Sequence, residues 1–212
     1  MHTQNTAVPL TLSQIKPAVA LLARAFHDDP FFTFTIPDTL RRGGILTWLF
    51  EKLILYGILY GKVYTTSTIE GVAIWLGPNY PALTLQGILR TGLVWLPLKL
   101  NWHEFTRSIR LANYADQLHK KTVKGRHWYL YELGVDPSRQ GQGVGRALLQ
   151  PVLEQACHEG LVCYLDTYKE KNIQFYERNG FAIANRGQTS LASPVIWTMR
   201  HEPALNTTLK AV

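Results

Sequence analysis

The sequence predicts an α/β (α+β) domain built on a mixed sheet, and three observations carry that prediction. Strand and helix periods alternate through the second half, from Trp128 to Met199. Two β-patterned runs, Lys62–Thr66 and Gly71–Leu76, are joined by the short turn Thr68-Ile69-Glu70. The 212 residues, 46% of them hydrophobic, are enough to bury one core without disulfide or metal staples.

Along the chain, Ala7–Leu10 reads as a short first strand. Ser13 reads as an N-cap, and Ile15, Val19, Leu22, Ala23 and Phe26 recur at helical spacing. His27-Asp28-Asp29-Pro30 ends that helix, because Pro30 disfavours α conformation at Asp29. Residues 38–60 form a second helix with a wide apolar face. Residues 82–122 are helical with a break near Pro97. The next segments are a strand Trp128–Val135, a helix Gly143–Glu159 with Pro151 inside it, and a strand Val162–Thr167. A short helix Glu170–Arg178 follows, then strands Phe181–Ala184 and Val195–Met199. Residues 1–203 are expected to form one domain, with a helical insert over 79–125 and a flexible tail over 204–212.

Composition excludes several classes. There are only two cysteines, Cys157 and Cys163, and the seven histidines lack a His-x-x-x-His spacing, so neither a disulfide scaffold nor a metal site is expected. The first fifteen residues lack a charged segment followed by an apolar core, and residues 80–100 lack an unbroken apolar run. Neither a secretory leader nor a membrane span is therefore predicted, and a cytoplasmic protein is the expectation. The net charge of +7 admits nucleic acid, a membrane surface or a small polyanion as partner. The basic run His119–His127 reads as a solvated connection and the aromatics Trp128, Tyr129 and Tyr131 as sheet packing, which explains them more simply than the stacking platforms of a nucleic-acid surface would.

The chemistry concentrates between Leu133 and Leu149. A strand ends, a turn follows, and Gln140-Gly141-Gln142-Gly143-Val144-Gly145-Arg146 opens a helix. Alternate glycines let the backbone approach an anion, the helix start adds unpaired N–H donors, and Arg139 and Arg146 flank the loop with charge. This is a phosphate cradle in physical terms. It is no Walker A loop, because no Gly-Lys-[Ser/Thr] is present. It is no dinucleotide fingerprint either, because the third glycine position falls on Arg146 or Leu148.

Gln140–Gly145, with Val135-x-Pro137 upstream, resembles the [Gln/Arg]-x-x-Gly-x-[Gly/Ala] loop of the GNAT acetyltransferase superfamily. Asn172-Ile173-Gln174-Phe175-Tyr176-Glu177-Arg178-Asn179-Gly180-Phe181 resembles that family's Asn-x-x-x-Tyr-x-x-x-Gly-Phe. Within the superfamily the likeness is greatest to the puromycin N-acetyltransferase group. It extends through Ala25-Phe26, Val72–Trp75 and Tyr164–Thr167 and weakens over 79–125.

The resemblance implies a mostly antiparallel twisted sheet with a splayed central strand pair, Trp128–Val135 and Val162–Thr167, and helices on both faces. It implies acetyl-CoA as co-substrate, with no metal. Leu133, Gly134 and Val135 would offer backbone groups to the pantetheine. Arg139, Gln140, Gly141, Gln142, Gly143, Val144, Gly145 and Arg146 would hold the pyrophosphate, and Asn172 the cysteamine arm. Tyr176 would act as general acid on the leaving thiolate. Positions that bear a Glu or His base in some members are Tyr129 and Tyr131 here. Asp166 is the first candidate for base, and strand alternation puts Glu132 on the opposite face from those tyrosines. Asp28, Asp29 and Tyr131 are candidates for binding a cationic acceptor.

The expected activity is transfer of an acetyl group to a primary amine of a small, antibiotic- or metabolite-like molecule by direct attack, with no nucleic-acid or membrane partner. A protein or peptide acceptor, a non-catalytic coenzyme A binder and a nucleic-acid-binding module are the alternatives. The acceptor's identity and the oligomeric state are not encoded in any motif.

Overall fold

The computed structural model describes residues 6–203, so the expected tail over 204–212 lies outside the described residues. Seven strands form one sheet: β1 (Ala7–Pro9), β2 (Gly61–Thr66), β3 (Gly71–Leu76), β4 (Trp128–Val135), β5 (Cys163–Thr167), β6 (Ala182–Gly187) and β7 (Ile196–His201). Their order is β1-β2-β3-β4-β5-β7-β6, antiparallel throughout except for the parallel pair β4–β5. Parallel neighbours need a crossover, and α6 (Val144–Glu159) supplies it.

The remaining helices are α1 (Ile15–Ala25), α2 (Pro30–Thr35), α3 (Thr39–Tyr60), α4 (Leu85–Thr91), α5 (Trp102–Thr122) and α7 (Ile173–Arg178). Helix α1 is entered through a 3-10 turn, Leu12–Gln14, in which Gln14 reaches back to the Thr11 backbone at 3.0 Å. Ser13 therefore sits inside the first turn and is not the cap, because Thr11 and Gln14 already form that reciprocal pair. Asp29 is extended before Pro30, as the sequence implies, and Pro30 also opens a helix that the sequence reading did not place: Asp29 caps α2, accepting from the Phe31 N–H at 2.9 Å. Gly43-Gly44 do not break α3, and Pro97 falls in a separate 3-10 turn, Leu93–Leu98, between α4 and α5.

Two cores flank the sheet. Helices α1 and α3 pack Leu22, Leu46, Phe50 and Ile54 against Val72, Ile74 and Leu76 on one face. Helices α6 and α7 pack Leu148, Val152 and Tyr176 against Trp75, Leu130 and Leu165 on the other. Helix α3 is long and apolar enough to cross a membrane, and its residues Leu46, Phe50, Leu53 and Ile54 are buried in the first of these cores. Glycine permits two close approaches. A Cβ at Gly71 would lie 2.8 Å from Leu148, and one at Gly134 2.7 Å from Leu22, so each helix rests directly on a strand backbone.

The site is positioned by an irregularity in β4. Ile74 pairs with Glu132 while Trp75 pairs with Leu130, so Tyr131 is an extra residue, a β-bulge. Beyond it β4 bends away from β5. Their parallel pairing ends at Leu130 with Leu165, and the β5-facing backbone of residues 131–135 is left without a strand partner.

Candidate active site

The bulge changes which side chains share a face. Before it, Trp128 and Leu130 face the α6 core, and Tyr129 and Tyr131 pack on the α1–α3 core. After it, Leu133 and Val135 face the α6 core, and Gly134 faces α1. Glu132 thus comes onto the same face as Tyr129 and Tyr131, contrary to the expectation from plain alternation. One inserted residue inverts the parity of everything downstream.

Glu132 therefore joins Asp166 at the mouth of the splayed pair. Asp166, half-buried on β5, accepts a 2.5 Å hydrogen bond from the Tyr129 hydroxyl. Burial pushes its carboxyl up to about 6 against the lowering effect of that bond. Burial, and then the charges of Asp29 and Asp166, push Glu132 well above the usual carboxylate range. Asp29 is the third member. It is buried beneath the start of α2, with its carboxyl raised by burial despite an ion pair with Lys169 at 3.5 Å. Asp28, its neighbour, is not brought into the cluster. It is 87% exposed and accepts from His27 Nδ1 at 2.9 Å.

Tyr176 approaches from the opposite face. Its ring packs in the α6–α7 core against Phe175 and Phe181, and its hydroxyl has no hydrogen-bond partner among the described residues. Burial, and then the charges of Glu132, Asp166 and Asp29, hold the phenol protonated well above its ordinary range. Groups from the two faces of a sheet sense one another only through a gap, and the splay between β4 and β5 is that gap. Tyr131 lines it beside Tyr129, with ring centroids 5.3 Å apart. Tyr168 lines it too and packs on Phe31 at 5.2 Å. The charges of Asp166 and Asp29 lie near enough to Tyr168 to help raise its phenol. Sequence reasoning missed Tyr168 and Lys169. The available signal was their position directly after Asp166-Thr167 at a strand end.

The anion cradle lies at the same end of β4. Gly141 and Gly143 take φ values of +77° and +83°, which other residues resist. Gly143 caps α6 without a side chain, so the first N–H groups of α6 carry no side-chain cap. The Val144 side chain is buried in the core, so this residue has only backbone to offer. Gln142 reaches the Ser138 carbonyl at 3.1 Å and Gln140 reaches that of Val135 at 3.4 Å, which shapes the loop. Arg146 is exposed at the first turn of α6, with no ion pair among the described residues. Arg139 is turned aside, and its guanidinium pairs with Glu70 at 3.2 Å. Gly145 joins the two sequence motifs: a Cβ there would lie 3.0 Å from the Phe175 ring. Asn172, just before α7, donates to Thr167 at 3.4 Å and so stands at the end of β5.

Three features fit a long ligand with an anionic head. The β4 backbone is open toward β5, an uncapped helix start lies beyond it, and a protonated phenol stands at the inner end. Leu133–Val135 and residues 140–146 would hold such a molecule, and coenzyme A has that shape and charge. Among the described residues no three His, Cys, Asp or Glu side chains are arranged so as to hold a metal ion.

Comparison with known proteins places this architecture. The sequence model of the Acetyltransferase (GNAT) family matches residues 98–181. An uncharacterized N-acetyltransferase of Schizosaccharomyces pombe is 30% identical over 172 residues, covering 78% of this chain and 70% of that protein. Among solved structures, one described as histone acetyltransferase HPA2 and related acetyltransferase, from Corynebacterium glutamicum, superposes with a TM-score of 0.67. It is 24% identical and covers 96% of this chain and 98% of its own. The arylalkylamine N-acetyltransferase 2 of Aedes aegypti shares the fold at a TM-score of 0.62 and 14% identity, covering 94% and 99%. With the glycine loop, the splayed strands and these relatives together, the chain belongs to the GNAT acetyltransferase family.

Proposed function

We propose that the protein transfers an acetyl group from acetyl-CoA to a primary amine on a small molecule, with Asp166 taking the proton from the amine and Tyr176 facing the departing sulfur. The observation that carries this reading is the meeting of Asp29, Glu132 and Asp166 with the Tyr176 phenol at the gap between β4 and β5.

The amine arrives largely as an ammonium, since lysine-like amines titrate near about 10.4. Three carboxyl groups offset by one lysine, Lys169, favour such a cation. The same cation lowers their raised pKa values once it is bound. Asp166, at about 6, is ionised near neutrality and still basic enough to accept a proton. Tyr129 fixes the orientation of that carboxylate. Glu132, raised by burial and by the charges of Asp29 and Asp166, adds a second carboxyl group to the same opening.

The neutral amine left by Asp166 attacks the thioester carbonyl, the C–S bond breaks as the N–C bond forms, and the second proton lost from nitrogen replaces the one Tyr176 gives the sulfur, so that amide and coenzyme A thiol depart. Backbone N–H groups left open on β4 would donate to the carbonyl oxygen as its charge grows. A phenol held well above 10 does not ionise in the free enzyme, so Tyr176 always has a proton to offer the sulfur. Cys163 is not poised to take the acetyl group in between: it is fully buried and its thiol is pushed up to about 12.

The acceptor's body would rest on aromatic rings. Tyr129, Tyr131, Tyr168 and Phe31 surround the acids and suit an apolar or aromatic amine. The likeness of the sequence motifs to the puromycin N-acetyltransferase group, and the arylalkylamine acceptor named for one structural relative, support a small amine. The test is acetyl-dependent release of free thiol with a panel of primary amines. Turnover should be greatest with aromatic or apolar amines. Turnover with peptide N-termini alone would replace the small-molecule reading with a protein acceptor.

A further inference from the structure

We propose that the outer face of the segment from Leu85 to Trp102 docks on an anionic lipid bilayer. Five large apolar side chains point away from the core there: Leu85 is 72% exposed, Leu89 57%, Trp95 60%, Leu98 76% and Trp102 73%. Within α4 and within the 3-10 turn the spacing puts them on a common face. Leu85 and Leu89 are one turn apart on α4, and Trp95 and Leu98 eclipse on the 3-10 turn. They are not core residues left short of their partners. The inward positions of the same segment are already filled, by Gly87, Thr91 and Leu93. Helix α4 lies so close to α3 that a Cβ at Gly87 would fall 2.2 Å from the Tyr56 ring. The outward face is thus presented on a fixed support.

Charge selects the occupant. From Gly71 to His103 the chain has no acid, while the exposed cations Arg90 and Lys99 follow Leu89 and Leu98 directly in the chain, the Lys99 ammonium lying 5.8 Å from the centre of the Trp48 ring. Glu104, the next acid, is buried and bonded to Arg41 and to the Asn101 backbone. Leucine and tryptophan flanked by cations, with no acid, is the composition of a surface that lies in a bilayer interface. Apolar side chains enter the acyl boundary while Arg and Lys meet anionic headgroups. A second copy seated on this face would oppose like charges. Nucleic acid would leave the three leucines in water.

Co-sedimentation of the full chain with vesicles of phosphatidylcholine, with and without phosphatidylserine, tests this. The protein should pellet with the phosphatidylserine vesicles, release with added salt, and show blue-shifted tryptophan emission on binding. Trp95→Ser with Leu98→Ser should weaken partitioning at least about tenfold, because each large side chain buried from water is worth roughly that much. Arg90→Gln with Lys99→Gln should abolish the preference for the anionic lipid. Both pairs lie on exposed positions and should leave the circular dichroism spectrum and Tm unchanged. The proposal is overturned if wild-type protein pellets with neither vesicle, or if the Trp95/Leu98 pair binds like wild type. A concentration-dependent dimer abolished by that pair would also overturn it, and would assign the face to a second copy.

Discussion

Replacing Asp166 by asparagine separates what the carboxylate costs the fold from what it gives the reaction. Burial raises this group from an ordinary 3.8 to about 6. Between those two values the folded chain holds more protons than the unfolded chain, so its stability falls as pH rises through that window. The rise spans about two pH units, which at about 1.36 kcal/mol each comes to about 3 kcal/mol. Asparagine keeps the shape and an acceptor for Tyr129 but carries no charge to bury. Asp166→Asn should therefore be more stable than wild type above about pH 7, by up to about 3 kcal/mol, and equal to it near pH 4. For a domain of this size each kcal/mol moves Tm by about 2–4 °C. Thermal melts of both proteins across that range read the difference directly. Activity should move the other way, with kcat falling by about 10²–10⁴-fold because the amide cannot take a proton. A variant less stable than wild type at high pH, or one that keeps its kcat, would refute the reasoning.

Other perturbations follow from the same geometry. Tyr176→Phe should lower kcat by about 10²-fold or more while acetyl-CoA affinity changes little, because the ring stays packed against Phe175 and Phe181 and only the hydroxyl is lost. Steady-state kinetics and a binding titration separate the two. Gly145→Val should force α6 from α7, since even a Cβ would sit 3.0 Å from Phe175. It should cost about 1–3 kcal/mol of stability and reduce acetyl-CoA affinity together, which melts with and without ligand would record.

Much of the fold was legible because its signals are local. Glycines at 141, 143 and 145 announce a backbone loop at a helix start, and Gly141 and Gly143 do take positive φ. Periodicity located β4 and α3 to within a residue or so. Asp166 and Tyr176 could be singled out from their motifs, and they do lie within one electrostatic cluster. The rest depends on contacts that no short pattern encodes. Glu132 read as facing away because alternation assumes an unbroken strand, and the bulge at Tyr131 has no residue signature such as glycine. Lys169 neutralises an acid 140 positions earlier in the chain, so only the closed fold brings it beside Asp29. Arg139 is expected at the phosphate because it flanks the loop, and its ion pair with Glu70 on the neighbouring hairpin is a contact that no local pattern encodes. Asp28 and Asp29 are chemically identical in sequence. The cap on α2 turns one inward and leaves the other in water.

The account rests most on the claim that the opening between β4 and β5 receives acetyl-CoA. Melting the purified protein with acetyl-CoA, NADPH and a short DNA duplex in separate samples tests it most directly. At about 100 times its dissociation constant a ligand stabilises by about 2.7 kcal/mol, which for this size is roughly 5–10 °C. The account predicts that shift with acetyl-CoA alone, and its loss in Gly145→Val. No shift with acetyl-CoA, or a larger one with NADPH or the duplex, would contradict it.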